Sequence, residues 1–262
     1  MNLKLIRFIL LGFCLALMTF IATTGFKNQS STNSLIISAA ASLEPAMEEI
    51  KLLYQQNHPQ VTLNYNFGAS GLLQQQIERG APVDIFLSAS EVELDKLAQK
   101  NLIIGASRHH LLRNRIALIV NKNNENIRQI SDLTNNQIAK ITIGDPNVVP
   151  AGRYAQQAID YYQLTDNIKD KLVFAKDEQA VLTYVELGYT DVGFVYVSST
   201  FNNPQIKVIA IADEESHQSI NYSVAIIQNT TQLDFSEDFL EFLKSNAVEK
   251  IFQKYNFNYL RS

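Results

Sequence analysis

Three short segments of the chain place small residues where a helix is predicted to begin. These segments are residues 39–43, 67–71 and 145–154. A helix start offers backbone N–H groups without intrahelical partners and the positive end of the helix dipole, so it attracts anions. Alanine and glycine let a ligand approach that backbone closely. Three such starts predict a cleft in which hydrogen-bond donors replace the water around a small oxyanion.

Two serines and a tyrosine are the side chains best suited to donate in such a cleft. Ser42 and Ser70 stand at the first two helix starts, where each also fits the N-cap position of its helix. Ala151 stands in the third segment and offers a backbone N–H. Tyr196 ends an apolar strand and is either a core tyrosine or a phenol that donates to the anion. The residues alone leave the capping, core and binding interpretations open.

Neither a metal site nor a catalytic nucleophile is predicted. The histidines, His58, His109, His110 and His217, show no i,i+4 pairing with acidic residues. The sequence has no Gly-x-Ser-x-Gly elbow and no phosphate-binding loop with its lysine. An arginine can bind an anion through two N–H groups, but Arg153 fits a solvated residue of the first helical turn better. We therefore expect a binding protein and not an enzyme.

Composition and charge exclude nucleic acid as a partner. The 262-residue chain is 46% hydrophobic, which is enough to form a substantial core, and its formal net charge is −4. Removal of residues 1–25, with Lys4 and Arg7, would make this charge −6. An acidic chain without a basic run is a poor ligand for nucleic acid.

The N-terminus has the layout of a secretion signal. Lys4 and Arg7 precede about 15 apolar residues, and a polar run follows. This stretch is short for a membrane-spanning helix, which needs roughly 20 residues. We expect residues 1–25 to be a signal peptide or an N-terminal anchor, so that the protein is exported. Cys14 is the only cysteine, and Phe13 before it argues against lipidation.

Strand-like and helix-like segments alternate along the rest of the chain. Helical spacing after Ser42, Ser70 and Asp177 predicts a helix that begins at each of them. This alternation predicts an α/β protein with largely parallel sheets, and the number of units predicts two lobes. Ligands of such sheets bind at the carboxyl ends of strands. Apolar segments predict strands at residues 35–38, 61–67, 84–88, 115–120, 141–143, 172–174, 191–197, 208–211 and 222–227.

The chain resembles the periplasmic molybdate/tungstate-binding proteins of ABC transporters. The resemblance runs from about residue 35 to about residue 258, and the two serine segments and the Pro-Ala-Gly-Arg-Tyr-Ala run at 150–155 are its most specific parts. The matching segments are residues 39–43, 67–70, 76–86, 113–115, 144–155, 181–196 and 251–255.

This resemblance implies a fold, a site and a function. The fold is the type II periplasmic-binding-protein fold, with crossover strands between lobe I (35–114 with 217–262) and lobe II (115–216). Ser42, Ser70, Ala151 and Tyr196 match the residues that hold the oxyanion. The function implied is capture of molybdate or tungstate in the periplasm, or at the outer face of the cytoplasmic membrane, and delivery to an ABC permease. No cofactor is implied, and we expect a monomer.

Glu178 departs from the family pattern, which usually has valine at a further backbone donor. A carboxylate about 4 Å from a bound dianion would be repelled by roughly 4 kcal/mol per pair of unit charges at an effective dielectric constant of about 20. We therefore expect Glu178 to contribute only its backbone N–H and to turn its carboxylate towards solvent. Two alternatives stay open: a protein that binds another oxyanion such as phosphate or sulfate, and a membrane-anchored anion sensor.

Overall fold

A computed structural model of the chain describes residues 33–260. The predicted signal segment and Cys14 lie outside the described residues. None of the helices within residues 33–260 combines the length and hydrophobicity that a bilayer span requires. These helices are α1 (Glu44–Asn57), α2 (Ser70–Glu78), α3 (Glu91–Gln99), α4 (Pro150–Tyr161), α5 (Thr165–Ile168), α6 (Glu178–Glu186), α7 (Leu233–Leu243) and α8 (Asn246–Lys254).

One sheet combines strands from both ends of the described chain. Its strands are β1 (Asn33–Ala40), β2 (Val61–Gly68), β3 (Ile85–Ser88), β4 (His109–Asn114), β10 (Ile220–Ile226) and β11 (Asn258–Tyr259), in the spatial order β11-β4-β10-β3-β1-β2. β1 is parallel to both β2 and β3. The carboxyl ends of these three strands therefore lie at one edge of the sheet, where Ser42 and Ser70 follow β1 and β2.

A second sheet is built from the middle of the chain. Its strands are β5 (Ile116–Asn121), β6 (Ile141–Gly144), β7 (Leu172–Ala175), β8 (Val192–Tyr196) and β9 (Ile206–Ile211), in the order β7-β6-β8-β5-β9. β6 is parallel to β7 and to β8. Helices α4 and α6 follow the carboxyl ends of β6 and β7, and Tyr196 ends β8.

The chain passes between the two sheets twice. It enters the second sheet at Arg115, between β4 and β5, and returns to the first sheet between β9 and β10. The expectation of largely parallel sheets is wrong for the strands that follow these passages. β5 is antiparallel to β8 and β9, and β10 is antiparallel to β3 and β4. Each of the two enters its sheet from the other one, without the helical crossover that sets parallel direction.

The packing of α1 on the first sheet fixes the segment that carries Ser42. Leu43, Met47, Ile50 and Tyr54 are fully buried at the predicted helical spacing. Pro45 lies in the first turn of the helix, where proline is tolerated. Burying each large side chain contributes roughly 1.5–3 kcal/mol. Together these contacts hold the end of β1 and the start of α1 in one position.

Helix α6 lies unusually close to the second sheet. A Cβ atom on Gly193 of β8 would lie 2.7 Å from Cγ2 of Val185 and 3.0 Å from Cγ1 of Val181. Only glycine leaves room for these two valines, which are fully buried. The close approach brings the first residue of α6, Glu178, next to the end of β8.

Candidate functional site

Ser42 lies in a short 3-10 helix, residues Ala41–Leu43, between β1 and α1. The expected N-cap role is wrong, because α1 begins at Glu44 and no side chain caps it. The hydroxyl of Ser42 instead lies 2.9 Å from the hydroxyl of Tyr222 on β10, and both residues are buried. These two hydroxyls form a polar pair at the carboxyl end of β1.

Ser70 is the first residue of α2, and the N-cap position belongs to Ala69. The capping prediction is therefore wrong for this serine as well. Its Oγ accepts a hydrogen bond of 3.1 Å from the backbone N–H of Ala89. Because Oγ acts as the acceptor in this bond, the hydroxyl hydrogen stays available to a ligand. Ser70 is fully buried, so the group it can donate to must lie inside the protein.

Ala151 lies in the first turn of α4, directly after Pro150, and is fully buried. Backbone N–H groups of a first turn have no partner within their helix. The neighbouring Gly152 serves packing, because a Cβ atom there would lie 1.9 Å from the carbonyl oxygen of Gly144. This glycine lets the start of α4 sit directly on the end of β6.

Tyr196 ends β8 with its side chain inside the protein. Its exposed fraction is 1%, and its ring centroid lies 5.5 Å from that of Tyr222. The hydroxyl of Tyr196 is buried and has no hydrogen-bond partner among the described residues. A buried hydroxyl without a partner needs an explanation, and a role as a hydrogen-bond donor to a ligand supplies one. Burial raises the pKa of Tyr196 well above its usual range, so the phenol remains a neutral donor.

Glu178 is the first residue of α6, and Asp177 caps this helix as predicted, accepting a 2.8 Å bond from the N–H of Ala180. The expectation that the carboxylate of Glu178 turns to solvent is wrong, because its exposed fraction is 4%. Oε1 accepts a 3.0 Å bond from the backbone N–H of Tyr196, and Oε2 is buried without a partner.

The inward turn of Glu178 follows from the local strand pairing. β6 pairs with β8 only at Val192 and Gly193 of β8. The backbone N–H of Tyr196 therefore has no partner in β6 and donates to the carboxylate of Glu178 instead. Burial raises the pKa of Glu178 to about 7, and the charge of Asp177 adds to this effect. The nearby hydroxyl of Ser199 and the backbone N–H of Tyr196 lower the pKa of Glu178, which offsets part of this rise.

All five residues predicted from the sequence line one small buried cavity. Ser42 and Ser70 contribute from the first sheet, and Ala151, Glu178 and Tyr196 from the second. Backbone of the small residues completes the lining, chiefly Ala40, Ala41, Gly68, Ala69 and Ala89. No lysine or arginine is among the residues that line this cavity. The arrangement can surround a small anion with neutral donors, and the ligand-binding roles of the individual residues stay a prediction.

Arg153 is not the solvated residue that the sequence suggested. Its guanidinium binds both carboxylate oxygens of Glu93, at 2.7 and 3.0 Å, and the hydroxyl of Ser90 at 3.2 Å. Glu93 is fully buried in α3, and a buried carboxylate requires such a partner. Because α3 packs on the first sheet and α4 on the second, this ion pair joins the two halves of the protein beside the cavity.

A backbone hydrogen bond joins the two halves at a second point. The N–H of Gly71 in α2 donates to the carbonyl oxygen of Val148 at 2.9 Å. A Cβ atom on Gly71 would lie 2.6 Å from this oxygen and 2.9 Å from the Cα of Val148. The contact between these two segments therefore requires glycine at position 71.

Two residues at or near the site were not predicted from the sequence. Tyr222 was predicted only as the first residue of a strand, yet its hydroxyl contacts both Ser42 and, at 3.4 Å, Asn114. One feature of the sequence indicates that Glu93 is unusual: it is an acidic residue directly next to Leu94 on the apolar face of α3. Such a position implies a buried cation partner, but the sequence does not indicate which one.

Comparisons with known proteins bear on this site. Residues 35–258 match the family described as bacterial extracellular solute-binding protein. The chain is 37% identical over 252 residues to YvgL of Bacillus subtilis (strain 168), described as a substrate-binding lipoprotein of an ABC transporter, covering 94% of this chain and 96% of that relative. It is 32% identical over 242 residues to the molybdate-binding protein ModA of Haemophilus influenzae, covering 91% of this chain and 94% of that one.

A solved structure supports the same fold. The periplasmic molybdate-binding protein of Azotobacter vinelandii superimposes with a TM-score of 0.79 at 21% identity, covering 85% of this chain and 98% of that one. This likeness confirms the predicted α/β fold, the type II periplasmic-binding-protein fold.

Proposed function

This chain belongs to the family of bacterial extracellular solute-binding proteins, and from that premise we propose that it captures molybdate or tungstate and delivers it to an ABC permease. The proposal places the mature protein in the periplasm or anchored at the outer face of the cytoplasmic membrane. The molybdate-binding relative from Haemophilus influenzae supports the ligand, because the chain aligns with it over nearly its whole length.

The observation that carries this proposal is the unpartnered Tyr196 hydroxyl in a cavity without cations. This hydroxyl, the free hydrogen of Ser70 and the first turn of α4 all supply donors to one enclosed space. A fully deprotonated tetrahedral oxyanion needs donors on every side. Neutral donors in a dry site can satisfy it without a counter-ion, because helix dipoles and hydrogen bonds are strong there.

In this mechanism no bond is made or broken in the ligand, so the protein is not an enzyme. Ser42, Ser70 and Tyr196 donate from their hydroxyls, and Ala151 and Glu178 donate from their backbone N–H groups. We propose that residues 35–114 with 217–262 form lobe I and residues 115–216 form lobe II. The ligand then favours the closed arrangement of the lobes, which the permease recognises. The bound oxyanion is cargo and not a cofactor, and the protein acts as a monomer without nucleic acid.

A thermal-unfolding series tests the ligand class. The protein is heated with sodium molybdate, tungstate, sulfate or phosphate, each added separately. A ligand at about 100 times its Kd adds about 2.7 kcal/mol to the free energy of unfolding, which for a chain of this size raises the Tm by roughly 5–11 °C. Molybdate and tungstate are expected to give this shift. A shift with phosphate or sulfate alone would contradict the proposed ligand.

The buried carboxyl group of Glu178 favours one second candidate. A carboxylate that accepts a hydrogen bond suits an oxyanion that keeps a proton, such as hydrogen phosphate, and opposes one that does not. The same series separates the two ligands. The third possibility, a membrane-anchored sensor, predicts that residues 1–25 are retained, which mass spectrometry of the mature N-terminus measures.

A further inference from the structure

Glu178 is the one acidic side chain that lines the cavity. One of its carboxylate oxygens accepts the Tyr196 N–H, and the other is buried without a hydrogen-bond partner, with the Ser199 hydroxyl nearby. Among the described residues no lysine or arginine pairs with it, and Arg153, which lies in the same region of α4 as Ala151, is bound to Glu93. The group therefore has no cation to balance a negative charge inside the site.

A bound dianion and an ionised Glu178 cannot both occupy this space at low energy. Like charges that share a buried site raise the pKa of the weaker acid until it takes up a proton. A neutral carboxyl group, in contrast, has an O–H that can donate to a ligand oxygen, as the serine and tyrosine hydroxyls do.

We propose that Glu178 contacts the bound oxyanion in its protonated form and donates a hydrogen bond from Oε2, so that the capture of one dianion takes up one proton. This inference rests on the proposed function, because it concerns the same cavity and the same class of ligand. It makes Glu178 a residue that determines which protonation state of an oxyanion the protein retains.

Among the groups near the cavity, we expect Glu178 to be the one whose charge changes when the oxyanion binds. Asp177 precedes Glu178 and caps α6 by accepting the N–H of Ala180. Tyr196 on β8 lines the cavity and Tyr222 on β10 contacts Ser42, and burial raises the pKa of both phenols well above the usual range. Arg153 on α4 is bound to the carboxylate of Glu93. Burial raises the pKa of the Glu178 carboxyl to about 7 in the free protein, which makes the proton available near neutral pH.

Isothermal titration calorimetry with sodium molybdate measures this coupling. The full chain is titrated between pH 6 and pH 9, in pairs of buffers that differ in their enthalpy of protonation and contain no oxyanion. We expect the uptake of about one proton per molybdate at pH 8.5, and a Kd that rises about tenfold per pH unit above about pH 7. Molybdate itself is deprotonated throughout this range, so the proton must go to the protein.

Glu178→Gln keeps a donor at this position and removes the titration. This variant is expected to bind molybdate without proton uptake, with a Kd independent of pH, and more tightly than the wild type at pH 8.5. Glu44→Gln is the matched control, because it removes one exposed negative charge from the helix that follows Ser42. The control is expected to keep the proton uptake and the pH dependence of the wild type.

Two results would overturn the inference, and they bear differently on the proposed function. Tight molybdate binding by the wild type with no proton uptake would refute the role of Glu178 and leave the molybdate proposal intact. Binding of phosphate in place of molybdate, abolished by Glu178→Gln, would mean that an ionised Glu178 accepts a hydrogen bond from the O–H of hydrogen phosphate. That second result would refute both proposals together.

Discussion

Replacement of Gly71 by alanine would test whether the closed arrangement retains the ligand. A Cβ atom at this position would lie 2.6 Å from the carbonyl oxygen of Val148, whereas ordinary contacts begin at 3.4 Å. The obstacle is backbone on both sides, so no side chain can move away. The two segments must therefore part by about 0.8 Å, which lengthens the 2.9 Å hydrogen bond between them beyond hydrogen-bonding range.

The expected loss of binding free energy is about 3 kcal/mol. One neutral hydrogen bond accounts for about 1 kcal/mol, and a ligand bond weakened by incomplete closure accounts for about 1.5–3 kcal/mol. This corresponds to a molybdate Kd raised roughly 100-fold, mostly through faster dissociation. The free energy of unfolding without ligand should not fall, because alanine favours a helix over glycine by about 1 kcal/mol.

Calorimetry gives the Kd, and urea unfolding gives the stability of the ligand-free protein. Gly105→Ala is the matched control, since a Cβ atom there would meet no atom within 4 Å and Gly105 does not line the cavity. This control is expected to change the Kd less than threefold. A Gly71→Ala variant that binds molybdate as tightly as the wild type would refute the reasoning, because ligand retention would then not depend on the closed contact.

Three further predictions concern single side chains. Ser42→Ala and Ser70→Ala should each weaken molybdate binding by about 1.5–3 kcal/mol, which is the contribution of a hydrogen bond to a charged group. If the double variant bound molybdate normally in calorimetry, the assignment of these serines to the binding site would be contradicted. Arg153→Met leaves Glu93 buried without a cation and should lower the free energy of unfolding by about 3–5 kcal/mol, and the additional change Glu93→Gln should recover part of this loss in urea titrations. Burial raises the pKa of Glu178 to about 7 from an ordinary 4.5. Between pH 4.5 and pH 7 the carboxyl group therefore ionises in the unfolded chain but stays protonated in the folded protein. The free energy of unfolding of the ligand-free wild type should fall by about 3 kcal/mol as the pH rises through this range. Glu178→Gln should lack this loss, and equal pH profiles for the two proteins would argue against the assignment.

Apolar runs predicted most of the strands, and their limits lie close to those observed. β4 was missed because only Leu111 and Leu112 of its six residues are buried and it begins with His109 and His110, which do not resemble an apolar core strand. The antiparallel direction of β5 and β10 was missed for a different reason. Direction depends on which sheet the preceding strand belongs to, and local periodicity carries no information about that.

The candidate site was predicted as a set of residues but not in its contacts. Small residues at helix starts indicated Ser42, Ser70 and Ala151, yet the capping rule failed for both serines. Their hydroxyls bind Tyr222 and Ala89, which are 180 and 19 residues away in the chain. The sequence did not predict that the Glu178 side chain turns inward. It does so because the backbone N–H of Tyr196 has no strand partner beyond the point where β6 and β8 separate, and the Glu178 carboxylate accepts this N–H instead. Long-range hydrogen bonds of this kind become visible only in three dimensions.

The division of the cavity between the two sheets has a consequence for kinetics. Ser42 and Ser70 belong to one half, and Ala151, Glu178 and Tyr196 to the other. Each half keeps its own internal bonds, such as that between Glu178 and Tyr196, when the halves separate. Under the proposed closure of the lobes, ligand association has two stages: a collision with one half, and a unimolecular step that brings the second half onto the ligand. Unloading at the membrane follows the reverse order, and a partner that only pulls the halves apart empties the site without unfolding either one.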